Sequence, residues 1–177
     1  MIPERSQKPT ATSNDAFFFE KDKAGQILIL GIGNYLMGDE GVGPQLIQEM
    51  ARGTLPSYLD ILDGGTGGFL LLNYFEAYRH IIFVDATLDG KPSGTVSQLR
   101  PRFASDFPSA LSVHDLGLKD MVEAVYLMEK VPDIHLFTIS IEKVVPMSVA
   151  LSDAVQEAIP GTIEKILQLA NQIKTTS

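Results

Sequence analysis

The sequence predicts an α/β fold, a three-layer αβα sandwich around a largely parallel (mixed) twisted sheet of about five strands. Three observations predict it. Short runs such as Ile27–Leu30, His80–Asp85 and Ile134–Ile141 are apolar with almost no alternation, as expected of strands buried on both faces of a parallel sheet. Amphipathic runs at helical spacing separate them. Several of the apolar runs end in glycine-rich or acidic loops, which is where open α/β sheets hold their ligands.

The first unit occupies Ile27–Pro44, ILILGIGNYLMGDEGVGP. Four apolar residues form the strand. Gly31-Ile32-Gly33-Asn34 makes a tight turn, the acidic pair Asp39-Glu40 follows, and Gly41, Gly43 and Pro44 open a helical run over Gln45–Arg52. Gly53 stops that helix, with Pro56 beyond it. Tyr58–Leu62 reads as a second strand, ending in Asp63-Gly64-Gly65-Thr66-Gly67-Gly68, and Phe69–Tyr78 as a helix apolar nearly all round, suited to covering a sheet. His80–Asp85 is a third strand, ending in a carboxylate. Thr95–Leu99 alternates as a short strand after the turn Asp89–Gly94.

Residues 101–113 form a loop leading to Val113-His114-Asp115. Leu116–Met128 follows with a helical apolar face and Asp115 as its N-cap. Ile134–Ile141 is a further strand. Leu151–Ile159 and Thr162–Ile173 are expected as two closing helices, broken at Pro160-Gly161. Residues 25–177 are expected as a single domain, and residues 1–24 as a flexible polar tail. Within that tail, Phe17-Phe18-Phe19 is expected to dock on the protein's own surface.

Composition narrows the function. Fourteen Lys and Arg against 22 Asp and Glu leave a net charge of −8, which argues against nucleic acid and anionic membrane surfaces as partners. There is no cysteine, which excludes disulfides, thiolate metal sites and cysteine nucleophiles. No run is long enough for a membrane span and no signal-peptide core is visible, so a cytoplasmic location is expected.

Nucleotide binding is the obvious first test of Gly31-Ile32-Gly33. The dinucleotide fingerprint needs a third glycine where Leu36 stands, and Asp39 and Glu40 would repel a pyrophosphate from the helix N-terminus. No nucleotide cofactor is therefore expected. Neither a G-x-S-x-G elbow nor an H-E-x-x-H helix is present.

Carboxylates and histidine remain. His80 and His135 open strands, at the edge away from the crevice, and read as structural or solvated. Helix starts share an edge with strand C-termini, so Glu40, Asp63, Asp85 and His114 can meet there. Such a mixed N/O set suits a divalent first-row metal. Each acid also has a plainer reading: Asp39 or Glu40 favouring a helix N-terminus, Asp63 holding a turn, Asp85 capping.

Gly31-Ile32-Gly33-Asn34-Tyr35-Leu36-Met37-Gly38-Asp39-Glu40-Gly41-Val42-Gly43 resembles the N-terminal signature of the [NiFe]-hydrogenase maturation endopeptidases. The resemblance continues, in the same order, through Leu62-Asp63-Gly64-Gly65-Thr66, Val84-Asp85-Ala86 and Ser112-Val113-His114-Asp115-Leu116-Gly117-Leu118. It implies an enzyme that removes the C-terminal extension of a hydrogenase large-subunit precursor once nickel is inserted, with the nickel supplied by that precursor. By position it assigns the family's three metal ligands to Glu40, Asp85 and His114, and a supporting acidic position to Asp63. Ser140-Ile141-Glu142-Lys143 departs from the more apolar segment common in relatives. The alternative is a non-catalytic nickel-binding checkpoint that holds the precursor. Glu40→Ala and His114→Ala variants are expected to fold, on the view that both residues lie at a polar edge.

Overall fold

The computed structural model describes residues 23–102, 106, 125–126 and 131–176. The tail with Phe17–Phe19, His114, and the Leu116–Met128 helix apart from Val125 and Tyr126 lie outside the described residues. Val125 and Tyr126 are helical, and Val125 is buried.

Strand β1 is Ile27–Ile32, buried at every position. A 3-10 turn, Gly38–Gly41, leads into helix α1, Val42–Ala51. Strand β2 is Leu59–Gly65, and helix α2 is Leu72–Ala77 after a 3-10 turn over Gly68–Leu71. Strands β3, His80–Thr87, β4, Val96–Leu99, and β5, Asp133–Ser140, complete the sheet, and helix α3, Asp153–Thr176, closes the fold. The sheet order is β2-β1-β3-β5-β4, parallel throughout except for the antiparallel edge strand β4. No helix among the described residues is long and apolar enough to cross a membrane.

Unbroken apolar runs are needed because helices cover both sheet faces. Ile27, Ile29, Ile82, Val84, Phe137 and Ile139 face α1 and α3, meeting Leu46, Ile47, Val155, Ile159 and Ile166. Leu28, Leu30, Ile81, Phe83, Ile134 and Leu136 face the other way, toward Phe75 of α2 and Val125. Alternation therefore survives as a choice between two cores rather than between core and water. Each fully buried Ile, Leu or Phe stabilises the fold by about 1.5–3 kcal/mol.

Two helix boundaries depart from expectation. The residues expected as one helix over Phe69–Tyr78 divide into a 3-10 turn and a shorter α2, which ends where Tyr78 takes an extended conformation at φ −104° and ψ 138°. The expected break at Pro160-Gly161 is absent, and α3 runs through both residues. Val155, Ile159, Thr162, Ile166 and Ala170 form one continuous buried stripe across the proline. Packing of that stripe on the sheet outweighs the missing N–H, since most helical stability in proteins comes from tertiary packing.

Candidate functional site

From β1 the chain passes through α1 to β2 on one flank. It then returns through α2 to β3 on β1's other flank. The C-terminal ends of β1 and β3 are therefore a topological switch point, where the loops diverge and leave a crevice. Glu40 follows β1, and Asp85 lies near the end of β3.

The loop after β1 is built to turn sharply. Gly33 has φ +137°, which side-chain-bearing residues rarely adopt, and a Cβ there would collide with the Glu40 carbonyl oxygen. Its N–H donates to the Gly65 carbonyl at 3.0 Å, tying this loop to the one after β2. The Asn34 side chain accepts the Leu36 N–H at 3.0 Å, closing an Asx turn before the 3-10 turn. At the start of α1, a Cβ on Gly43 would collide with the Ile32 and Val84 carbonyl oxygens. Glycine at 43 is thus what lets the helix seat directly on the ends of β1 and β3.

That seating buries the acids. Glu40 and Asp85 are both 0% exposed, and Asp39 is 8% exposed. The Asp85 Oδ1 accepts the N–H of Ala86 at 2.7 Å. Asp39 points elsewhere: its Oδ1 accepts the Ser152 N–H, just ahead of α3, at 2.6 Å. The two adjacent acids are thus separated in role, with Asp39 anchoring the turn and Glu40 buried beside the crevice. The expectation that Glu40 lies at a polar edge is corrected by its complete burial, because the 3-10 turn is packed between α1 and β3.

Asp63 occupies a different position. It is exposed on β2, paired with Gly31, with β1 between it and β3. Its Oδ1 accepts the Gly65 N–H at 3.0 Å, holding the turn that bonds back to Gly33. His114 lies outside the described residues, so its place relative to Glu40 and Asp85 is not part of this geometry. Among the described residues no group of three or more His, Cys, Asp and Glu is arranged to hold a metal ion.

His80 and His135 lie at the opposite edge of the sheet, around Asp133. His80 Nδ1 and His135 Nε2 each stand 3.6 Å from Asp133 Oδ2, and Arg100 grips the same carboxylate at 3.0 and 2.9 Å. Burial pushes both imidazoles below their ordinary pKa, against the pull of Asp133. For Asp133 burial acts upward, but the Arg100 hydrogen bond and the neighbouring positive groups bring it below the usual carboxylate value.

One feature of the site edge is not signalled by periodicity. Residues 36–38 and 145–148 pair through Val145 N–H to Met37 O at 3.3 Å, Ser148 N–H to Leu36 O at 3.1 Å and Gly38 N–H to Ser148 O at 2.7 Å. The sequence signal for it is only an uncharged stretch, Val144–Ser152, with no regular pattern.

Residues 44–169 match the hydrogenase maturation protease family model. The chain is 33% identical over 149 residues to the hydrogenase 2 maturation protease of Escherichia coli strain K12, covering 80% of this chain and 88% of that protein. It is 37% identical over 112 residues to the hydrogenase expression/formation protein HupD of Bradyrhizobium diazoefficiens, which spans 60% of this chain and 57% of that one. The solved structure of the hydrogenase maturating endopeptidase HybD from E. coli superposes with a TM-score of 0.75 and 31% identity, over 83% of this chain and 93% of that chain. With a family model matched over most of the chain, this extent of sequence identity and this structural superposition, the chain belongs to the hydrogenase maturation protease family, a family of endopeptidases.

Proposed function

We propose that this protein removes the C-terminal extension of a [NiFe]-hydrogenase large-subunit precursor after nickel insertion, in the cytoplasm. Glu40, Asp85 and His114 meet the precursor's nickel, and Asp63, on the strand across β1 from Asp85, serves as the base. The observation that carries this reading is the placement of two fully buried carboxylates, Glu40 and Asp85, on the elements that flank the β1/β3 switch point. It is supported by membership of an endopeptidase family.

The donor chemistry fits the assignment, because carboxylate oxygen with imidazole nitrogen is a set that divalent first-row ions accept. Peptide hydrolysis needs a polarised carbonyl, an oriented water and a place for that water's proton. Nickel belongs here to the substrate, where its charge favours carboxylate docking and polarises a nearby oxygen. The chain's own part is to hold Glu40 and Asp85 rigidly and away from competing water. Asp63, exposed on the neighbouring strand, is open to take a proton from a water.

The test is the intact mass of a nickel-loaded precursor with and without this protein. Loss of one defined C-terminal peptide, dependent on nickel, is the expected outcome. An unchanged mass with co-elution of the two proteins would replace the endopeptidase by a nickel-binding checkpoint.

A further inference from the structure

We propose that the uncharged clasp formed by residues 34–38 and 144–149 is the docking surface for an extended, apolar segment of the precursor close to the bond that is cut. The inference rests on the reading above, in that it takes a precursor polypeptide as the substrate.

The clasp combines exposure, apolarity and backbone strain. Met147 is 90% exposed and has φ 60°, in the left-handed region that residues with a side chain rarely enter. Its side chain contributes nothing to the core, so the conformation is imposed by the loop without a burial gain. Strain of this kind persists where the surrounding structure over-determines it, and it points to function. Leu36 is 53% exposed, and Tyr35, Val145 and Val149 are exposed as well. The parallel Met37–Ser148 bridge sets Leu36 beside Met147. Scattered exposed apolar residues are normal, but here they are gathered on two loops tied by three backbone hydrogen bonds. Gln45 fastens the far side, donating from Nε2 to the Val149 carbonyl at 2.9 Å.

Charge marks the same surface. Neither Asn34–Gly38 nor Val144–Ser152 contains a charged residue, in a chain of net charge −8. The two segments of the clasp thus carry no carboxylate of their own, with Glu142 and Asp153 only at the borders of the second.

Continuity with the site favours the precursor over the other occupants. Leu36 stands four residues before Glu40 on the same loop, so at about 3.3–3.6 Å per residue the clasp lies within about 14 Å of the acid along the chain. A peptide with its scissile bond at the crevice therefore crosses the clasp within a few residues. The N-terminal tail is the weaker occupant by chain length from Lys23. Lys23 bonds to the Ala77 carbonyl at the foot of the sheet, and Phe17–Phe19 lie four to six residues upstream, a reach of about 14–22 Å. Strand β1 alone advances about 20 Å, with the loop to the clasp still beyond it. A second copy would need about 800 Å² from each partner for a stable dimer, far more than these few side chains present. Methionine, flexible and polarisable, suits an adaptable peptide contact.

The test is steady-state processing of nickel-loaded precursor by the full chain and by Met147→Gly, Met147→Glu and Leu36→Glu. Met147→Gly relieves the left-handed strain and keeps the fold, so its effect cannot be assigned to unfolding. KM is expected to rise roughly tenfold in each variant, with kcat within about twofold of the parent chain. Unchanged KM in Met147→Gly and Leu36→Glu, with cleavage intact, would overturn the docking surface and leave the endopeptidase reading standing. If the parent chain binds without cutting, the same variants are read by dissociation constant, and equal constants overturn the proposal. If it neither binds nor cuts, both readings fall. A dimer in sedimentation that Met147→Glu dissociates would assign the surface to a second copy. A full chain with Phe17, Phe18 and Phe19 changed to Ser that loses the KM penalty of Met147→Glu would assign it to the tail. Either result overturns the proposal.

Discussion

Asp39 Oδ1 accepts the backbone N–H of Ser152 at 2.6 Å, joining residues 113 positions apart. One end of this bond is the turn that carries Glu40, and the other is the entry to α3. Carboxylates favour helix N-termini because the first N–H groups there lack intrahelical acceptors. Asp39 supplies that acceptor from another part of the chain.

Removing the acceptor is therefore expected to loosen both ends. Asp39→Ala should lower stability by about 1–2 kcal/mol, the usual cost of losing a cap or a charge-assisted hydrogen bond. Asp39→Asn keeps an acceptor oxygen and should cost less. Urea unfolding of the two variants beside the parent chain measures the difference, and equal losses would show that the hydrogen bond is not what matters.

Glu40 and Asp85 call for isosteric changes, because an alanine at a fully buried position would leave a cavity. Glu40→Gln and Asp85→Asn are expected to lower precursor processing by at least about a hundredfold while the far-ultraviolet circular dichroism stays native. Processing within a factor of a few of the parent would remove these residues from the site.

The His80–Asp133–His135 cluster predicts how stability follows pH. Both imidazoles titrate below their ordinary value in the folded chain, chiefly through burial, with Arg79 and Arg100 acting in the same direction and Asp133 against them. The unfolded chain, with histidines near pH 6.5, then binds protons first, so stability rises with pH in this range. Asp133, also lowered, adds stability present above about pH 3.8 that is lost as pH falls through its folded value. The thermal midpoint should thus be level above about pH 6.5 and fall steadily below it. His135→Gln should flatten the upper part of that decline; an unchanged slope would show that another group controls it.

Helix α3 contains two residues that resist helix formation without any contact that requires them. Pro160 is exposed, and Gly161 has open space where a Cβ would lie. Gly161→Ala is expected to raise stability by about 0.5–1 kcal/mol, and Pro160→Ala by up to about 3 kcal/mol. Denaturant titration checks both. No gain from Gly161→Ala would mean the helix is less regular at this point than its stripe of buried residues implies.

Much of the architecture was legible before any coordinates. The apolar runs at Ile27, His80 and Ile134 predicted strands because only a strand covered on both faces can dispense with polar alternation. The glycines at 33 and 43 and the acids at 40 and 85 marked the loops at the strand ends. Pro160 misled, because local propensity carries no information about how well the stripe from Val155 to Ala170 packs on the sheet. Asp63 looked equivalent to Asp85 from spacing alone, although the strand order puts β1 between them.

The sequence by itself thus determined the class of fold, the strand-end loops and the residue types available for chemistry, since these depend on periodicity and composition over a few neighbouring residues. Tertiary structure alone decided that Asp39 caps α3 while Glu40 is sealed beside the crevice, that two histidines share one carboxylate, and that residues 34–38 meet residues 144–149. Those are contacts between distant positions, set by strand order and by the closeness with which α1 seats on β1 and β3. No local pattern encodes them, because a side chain's environment is made by whatever the rest of the chain packs against it.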